Sequence, residues 1–151
     1  MTTRRIQIVI KATPEQVWTA LTDPSITPAY YYGFEAHYDL SPGAPYSYVS
    51  AGERVITGRV TDVVEREKLS MTFAGTWAPD VAELPESFVT YELGETAMGV
   101  PGITALTLTH GGLPETESAH NIEMGWVLIL SGLKTLLETG SPLVPAAPDG
   151  K

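Results

Sequence analysis

The chain contains no cysteine. This absence excludes disulfide bonds, thiolate nucleophiles, zinc sites built from thiolates and iron–sulfur clusters. Stability must therefore come from an ordinary hydrophobic core. A chain of 151 residues has the length of one domain, large enough to bury about two-thirds of the surface that its unfolded form exposes.

Basic residues are also scarce. Nine Lys and Arg stand against 18 Asp and Glu, which gives a net charge of −9. Because nucleic-acid binding needs a clustered basic face, this composition excludes nucleic acid as a favoured partner. The acidic surplus by itself indicates mainly solubility.

A long uninterrupted apolar run is missing as well. The most apolar long segment is "GWVLILSGLKTLLETG", residues 125–140, and it is interrupted by Ser131, Lys134, Thr135 and Glu138. A membrane-spanning helix needs about 20 consecutive apolar residues, so we expect no membrane association. The N-terminal sequence "MTTRRIQIVIKATPEQ" does not resemble a signal peptide, which predicts a cytoplasmic protein.

The same segment has the periodicity of a helix with one buried face. Its apolar residues share one side of a helical wheel: Ile122, Trp126, Ile129, Leu130, Leu133, Leu136 and Leu137. Asn121 is a candidate N-cap, and Gly140 followed by Pro142 predicts the end of the helix. Gly125 and Gly132 leave little volume beside the apolar stripe, which indicates either close packing or space for a ligand.

The rest of the chain predicts one early helix and a series of strands. "RIQIVIKA" alternates like a half-buried strand. In "TPEQVWTALTDP", Thr13, Pro14 and Gln16 form the start of a capped helix, and "PSITPAYYYG" predicts a short helix or turn. The strand candidates are "FEAHYDL", "PYSYVSAG", "ERVITGRVTDVVE", "KLSMTFAGTW", "SFVTYEL" and "ITALTLTH". The proline-bearing segment "APDVAELPE" is predicted to be a turn between two of them. Short links between the strands favour antiparallel pairing.

This order of elements predicts an α+β domain over residues 1–140. Its sheet of about seven strands would bury its apolar face against the long C-terminal helix. Residues 141–151, "SPLVPAAPDGK", are rich in proline and poor in apolar residues, and are predicted to form a flexible tail.

Several segments, in this order, resemble the bacterial family named after activators of the heat-shock protein 90 ATPase. They include "IKATPEQVWTALTDP", "GRVTDVVEREKLSMTF", "SFVTYEL" and "GWVLILSGLKTLLETG". That family belongs to the START-like superfamily, which also contains the Bet v 1 fold. The resemblance implies a helix-grip fold, in which a curved antiparallel sheet wraps the C-terminal helix and leaves a cavity between them.

If such a cavity exists, its lining can be predicted. The candidate ligand-binding residues share an inward position or a place near one mouth: Tyr32, Tyr48, Met71, Phe73, Trp77, Tyr91, Leu108, His110, Trp126, Ile129 and Leu133. Such a lining is apolar with few polar points, as in small-molecule sites. Tyr48, Tyr91 and His110 are the candidate polar anchors. The alternative is that these side chains simply fill a solid core.

The histidines do not predict a metal site. His110 shares a strand face with Leu106 and Leu108, so it should point inward, where it could contact a ligand or act as an acid or base. His37 should point outward, and His120 should lie in a loop. Histidines this dispersed, without a spaced carboxylate partner, predict no metal site. We also predict no cofactor and no assembled catalytic site.

Three functions remain open. The leading hypothesis is binding of a small hydrophobic molecule, aromatic or lipid-like, by a monomer or homodimer. The resemblance implies the second, a chaperone or regulatory protein partner in the stress response. The third is a cyclase- or hydrolase-like enzyme, because one fold hosts many functions.

Overall fold

The computed structural model describes residues 2–94 and 97–144. The strands of this part are β1 (Thr2–Ile10), β2 (Glu35–Tyr38), β3 (Pro45–Ser50), β4 (Glu53–Val64), β5 (Lys68–Gly75), β6 (Ser87–Gly94) and β7 (Thr104–Leu113). The helices are α1 (Pro14–Thr22), α2 (Pro79–Ala82) and α3 (Glu117–Thr139), with 3₁₀ turns at Thr27–Ala29 and Ala97–Gly99.

The strands form one antiparallel sheet in the order β1-β7-β6-β5-β4-β3-β2. The first strand lies beside the last, with Ile6 opposite Leu108. The segment containing α1 carries the chain from β1 to β2, at the opposite edge of the sheet. This curved sheet and the long C-terminal helix confirm the predicted α+β helix-grip fold.

The start of α1 follows from its sequence. The Thr13 side-chain oxygen accepts a hydrogen bond from the Gln16 backbone N–H at 3.2 Å, and the Gln16 side-chain oxygen accepts one from the Thr13 N–H at 2.9 Å. Pro14 occupies the first helical position, where its missing N–H has no cost. The predicted capping box is confirmed.

The start of α3 was predicted incorrectly. Thr116 is the N-cap, and its hydroxyl oxygen accepts the Ala119 N–H at 3.2 Å. The helix thus begins earlier than a start at Asn121 would allow, and His120 lies within it rather than in a loop. Threonine at the cap satisfies an N–H of the first turn that would otherwise lack a partner. The predicted end is correct, since Gly140 adopts a left-handed conformation with φ 81°.

The segment between β5 and β6 also differs from expectation. "APDVAELPE" was predicted as a turn, but it contains α2, with Pro79 in its first turn. The strand β5 ends at Gly75, so Trp77 does not continue the inward alternation of Met71 and Phe73. Its indole ring lies over Gly75, where any side chain would collide with it, and the residue is 41% exposed.

The core lies between the sheet and α3. On β5, residues alternate between buried and half-buried, so every second side chain points at the helix. From α3, the buried residues are Ala119, Ile122, Trp126, Ile129, Leu130, Gly132 and Leu133. Each large apolar side chain buried there contributes roughly 1.5–3 kcal/mol, which makes this contact the main stabilising feature.

Two glycines of α3 face the tyrosine segment, residues 30–32, which follows α1. A Cβ at Gly132 would lie 3.3 Å from the Tyr30 Cβ and 3.5 Å from its carbonyl oxygen. A Cβ at Gly125 would meet only the Tyr32 hydroxyl, at 3.1 Å. Gly132 therefore permits a close backbone approach, whereas Gly125 faces more open space.

The described part of the chain ends in an exposed segment. Residues 141–144 are exposed, and residues 145–151 of the predicted tail lie outside the described part. Among residues 2–94 and 97–144, no helix combines the length and the apolar character needed to cross a membrane.

The two glycines predict opposite responses to alanine. Gly125→Ala should stabilise the fold by about 0.5–1 kcal/mol, because alanine is the better helix former and the tip of Tyr32 can move aside. Gly132→Ala should leave the free energy of unfolding unchanged or lower it, because the added methyl group presses on the Tyr30 backbone. Urea unfolding of both variants measures this difference, and an equal gain in both would contradict it.

Candidate ligand-binding cleft

An open cleft of about 450 Å³ lies beside the first half of α3. The helix contributes Ser118, Asn121, Ile122, Gly125 and Ile129 to its wall. These positions fall on one stripe of the helix because each lies three or four residues from another member of the set. Ile122 and Ile129 also belong to the buried face of α3, so the cleft reaches the edge of the core.

The opposite wall comes from three other parts of the chain. They supply mainly apolar side chains: Tyr31, Tyr32 and Phe34 from the segment before β2, Ile56 from β4, and Trp77, Ala78 and Val81 around α2. Four of these residues are aromatic, so most of the wall consists of ring surfaces. The composition is that of a small-molecule site.

Tyr31 joins the cleft to the core. It is only 3% exposed, and its ring centroid lies 4.5 Å from that of Tyr48 and 5.7 Å from that of Trp126. Its neighbour Tyr30 is anchored by a hydrogen bond from its hydroxyl to the Ala20 carbonyl oxygen, at 2.7 Å. The floor of the cleft is thus held by packed aromatic rings rather than by a mobile side chain.

Tyr32 forms part of the rim. It is 52% exposed and has a left-handed backbone with φ 53°, a conformation that is unfavourable for a residue with a large side chain. Its hydroxyl lies 3.4 Å from the Gly125 carbonyl oxygen. The unusual backbone turns this ring towards α3, across the side of the helix that lacks a side chain.

The polar groups of the cleft are few. Asp80 from α2 is the one charged residue among the described residues that line it. The Ser118 hydroxyl donates a hydrogen bond to Asp80 Oδ2 at 2.7 Å, which links α2 to the first turn of α3. Asn121 adds an amide nearby. One edge of an otherwise apolar cleft is therefore polar and acidic.

The structure divides the predicted ligand-binding residues into two groups. Tyr32, Trp77 and Ile129 line the cleft. The other eight lie in the tightly packed core: Tyr48, Met71, Phe73, Tyr91, Leu108, His110, Trp126 and Leu133. Ligand contact by any of these residues stays a prediction.

The hydroxyl groups of the buried tyrosines form hydrogen bonds with one another. The hydroxyl oxygens of Tyr38 and Tyr48 are 2.7 Å apart, and the Tyr38 hydroxyl also lies 3.4 Å from the Met71 sulfur. Tyr48 is hydrogen-bonded to Tyr91 as well. Burial raises the pKa of each of these three tyrosines well above its usual value. They are neutral hydrogen-bonding groups of the core.

His110 belongs to a second buried network. Trp126 Nε1–H donates to His110 Nδ1 at 2.9 Å, and His110 Nε2 lies 2.7 Å from the Ser87 hydroxyl. Because indole nitrogen can only donate, Nδ1 must be unprotonated and the neutral imidazole carries its proton on Nε2. The Ser87 hydroxyl in turn donates to the Phe73 carbonyl oxygen at 3.3 Å. Both ring nitrogens are thus occupied within the core.

The electrostatic environment keeps His110 neutral. Burial, together with the positive charge of Arg4 on the adjacent strand, lowers its pKa to about 4. His110 points inward, as predicted, but towards Trp126 rather than into the cleft. His37 points outward, as predicted, and lies 3.3 Å from Glu35.

Sequence reasoning missed several cleft residues. Asp80 and Val81 lie in a segment that was predicted as a turn, and Ser118 lies ahead of the predicted helix start. Ile122 was correctly predicted on the apolar face of α3, but helical periodicity does not indicate that this residue borders the cleft. Pro79, as a residue that favours the first turn of a helix, could have indicated the helix that carries Asp80 and Val81. Thr116, as a candidate N-cap, could have indicated that Ser118 lies in α3.

A second groove is chemically different. It has a volume of about 480 Å³ and is lined by Thr13, Pro14, Glu15, Glu65, Arg66, Glu67 and Leu93. Arg66 lies 3.4 Å from Glu15. The charged lining does not suit an apolar molecule, and the groove is simply the exposed surface beside the β4–β5 turn.

The fold places the chain in the START-like, Bet v 1-like superfamily of helix-grip domains. Within it, the chain belongs to the family described as "Activator of Hsp90 ATPase homolog 1-like protein", whose model matches residues 11–138. A search of curated proteins gives no match.

Solved structures show the same fold at low sequence identity. An HSP90 activator from Plasmodium falciparum is 23% identical with a TM-score of 0.72, covering 94% of this chain and 99% of that one. The Aha1 dimer from Colwellia psychrerythraea is 21% identical with a TM-score of 0.67, covering 93% and 98%. A putative protein in the dynemicin biosynthetic locus is 23% identical with a TM-score of 0.72, covering 93% of this chain and 48% of that one.

The His110 network predicts acid sensitivity. Because the folded-state pKa lies below the usual 6.5, the unfolded chain binds a proton first as pH falls. The contribution of neutral His110 to the free energy of unfolding is therefore complete above about pH 6.5 and is lost towards pH 4. Between pH 7 and pH 5 the free energy of unfolding should fall by about 2 kcal/mol. Urea unfolding at both pH values should show this loss, and His110→Leu should reduce it.

The control for this prediction is His37→Gln, which alters an exposed histidine and should keep the wild-type loss. NMR titration of the His110 ring in the wild-type protein provides a readout that does not depend on a variant. A midpoint near 6.5 would contradict the assignment.

Proposed function

We propose that this protein binds a small, mostly apolar molecule in the cleft between α3, α2 and the tyrosine segment. The observation that carries the proposal is the cleft itself, which has a volume of about 450 Å³ and a lining of aromatic and aliphatic side chains with few polar groups. Small-molecule sites generally have volumes of about 300–1,000 Å³ and this kind of lining.

The rigidity of the floor supports the same proposal. Tyr31 is fixed by its contacts with Tyr48 and Trp126, so the apolar surface is formed before a ligand arrives. A preformed site avoids the entropic cost of ordering side chains on binding. The ligand would contact Tyr32, Trp77 and Ile129, while the other predicted residues would support the floor from below.

Blocking the cleft tests this function. Gly125→Leu should place a branched side chain in the cleft, because a Cβ at Gly125 meets nothing but the tip of Tyr32. N-phenyl-1-naphthylamine, a neutral fluorescent probe of apolar sites, should bind the wild-type protein and bind Gly125→Leu at least about tenfold more weakly, since the variant fills the volume that the probe needs.

The matched control is Leu128→Ala, which alters an exposed apolar residue of the same helix and should leave probe affinity unchanged. Circular dichroism would establish that both variants are folded. Equal probe binding by the wild type and by Gly125→Leu would contradict the proposal, as would the absence of binding to the wild type.

The second candidate function is binding to an Hsp90-type chaperone. Two observations favour it: the family description and an exposed apolar row on α3 formed by Met124, Val127 and Leu128. Positions spaced by three and four residues share one helix face, and exposed apolar patches commonly mark interaction sites. This role requires the cytoplasmic location that the sequence predicts.

An ATPase assay tests the second candidate. Addition of the wild-type protein to Hsp90 from a bacterium should raise ATP turnover, and the double variant Val127→Ser, Leu128→Ser should lose most of that stimulation. Gly125→Leu should retain it, because its change lies in the cleft. No stimulation by the wild-type protein would remove this candidate.

A further inference from the structure

We propose that the cleft selects molecules in which a positively charged amine is attached to an apolar, preferably aromatic, body. This inference rests on the proposed ligand-binding function and adds the chemical class of the ligand. It comes from the charge and the ring composition of the cleft lining.

The first observation is the isolated carboxylate of Asp80. No Lys, Arg or His is among the described residues that line the cleft, so Asp80 has no cationic partner there. Its one hydrogen-bond donor from the lining is the neutral Ser118 hydroxyl, 2.7 Å from Oδ2. A carboxylate can accept several hydrogen bonds on its two oxygens, so the group retains the capacity to accept from an ammonium group.

The second observation is the set of aromatic rings that share the cleft with this carboxylate. Tyr31, Tyr32, Phe34 and Trp77 line the same cleft. The faces of aromatic rings attract cations, with tryptophan the strongest, and such rings are a recurring element of amine-binding sites. Trp77 is 41% exposed and lies three residues before Asp80, so an aromatic ring and a carboxylate come from one short segment.

The third observation is the charge of the whole chain. With a net charge of −9, the protein repels anions and attracts cations over the range set by salt screening. A negatively charged apolar molecule would approach Asp80 without any compensating basic group. Charge on the ligand is thus expected to decide between molecules of similar shape and apolar area.

Three naphthalene compounds of similar size test the inference. They carry an aminomethyl, a hydroxymethyl or a carboxylate group at the same ring position, and are respectively cationic, neutral and anionic at pH 7. Isothermal titration calorimetry at low salt should rank their affinities in that order. We expect the cation to bind about tenfold more tightly than the anion, as one ion pair and one cation–π contact would provide.

Asp80→Asn tests the contribution of the carboxylate charge. Asparagine retains an oxygen that can accept from Ser118, so the link between α2 and α3 should survive. This variant should bind the cation about fivefold more weakly and the alcohol with unchanged affinity. The control Asp39→Asn removes the same charge from an exposed position that does not line the cleft, and should leave all three affinities within about twofold.

The outcomes separate this inference from the proposed function. Suppose that the alcohol binds, that the cation binds no more tightly than the anion, and that Asp80→Asn does not weaken binding of the cation. The charge preference is then overturned, and the cleft remains a binding site. The same holds if Asp39→Asn weakens the cation as much as Asp80→Asn does. If none of the three compounds binds, and the neutral fluorescent probe also fails to bind, the proposed function itself is overturned.

Discussion

The structure depends on the contact between α3 and the concave face of the sheet, centred on Trp126. The Trp126 ring lies edge-on to Tyr91 with centroids 6.1 Å apart, and its indole nitrogen donates to His110 on β7. Burying an indole without a partner for its N–H would cost part of what its apolar surface contributes. His110 is held neutral to accept that hydrogen bond, so a polar pair fixes the position of an apolar helix.

The position of α3 determines where side chains pack into a core and where a cleft remains. One face of α3, which includes Trp126, Leu130 and Leu133, is buried in the core. On the neighbouring stripe, from Ser118 to Ile129, α3 faces α2 and the tyrosine segment, and the cleft lies between them. Gly132 permits this arrangement, since it allows the Tyr30 backbone to lie close to the helix.

Aromatic residues have different roles according to their depth. Tyr48 and Tyr91 are buried and hydrogen-bonded, so they contribute stability and shape. Tyr31 lies between the core and the cleft, while Tyr32 and Trp77 remain exposed at its edge. The core aromatics hold the cleft aromatics in place. Binding surface and stability are therefore coupled through a few ring contacts, of which the Tyr31–Tyr48 contact at 4.5 Å is the shortest.

The sequence predicted which faces are buried but not where the cleft lies, for a physical reason. Alternation in β5 and the wheel of α3 report which face is buried, and both were correct. Neither pattern reports whether a buried face meets protein or an empty volume, so Met71, Phe73 and Leu108 could not be distinguished from Ile129. Trp77 was misplaced because β5 ends two residues before it, and Asp80 was missed because α2 has only four residues.

Methyl NMR of the isoleucine residues tests the central claim most directly, namely that the cleft beside α3 is the ligand-binding site. Ile56, Ile122 and Ile129 line the cleft, whereas Ile6, Ile8 and Ile10 lie on β1, away from it. Addition of the neutral naphthalene alcohol should shift the methyl signals of the first three residues and leave those of β1 unchanged. Shifts confined to β1, or no shifts at all, would contradict the account.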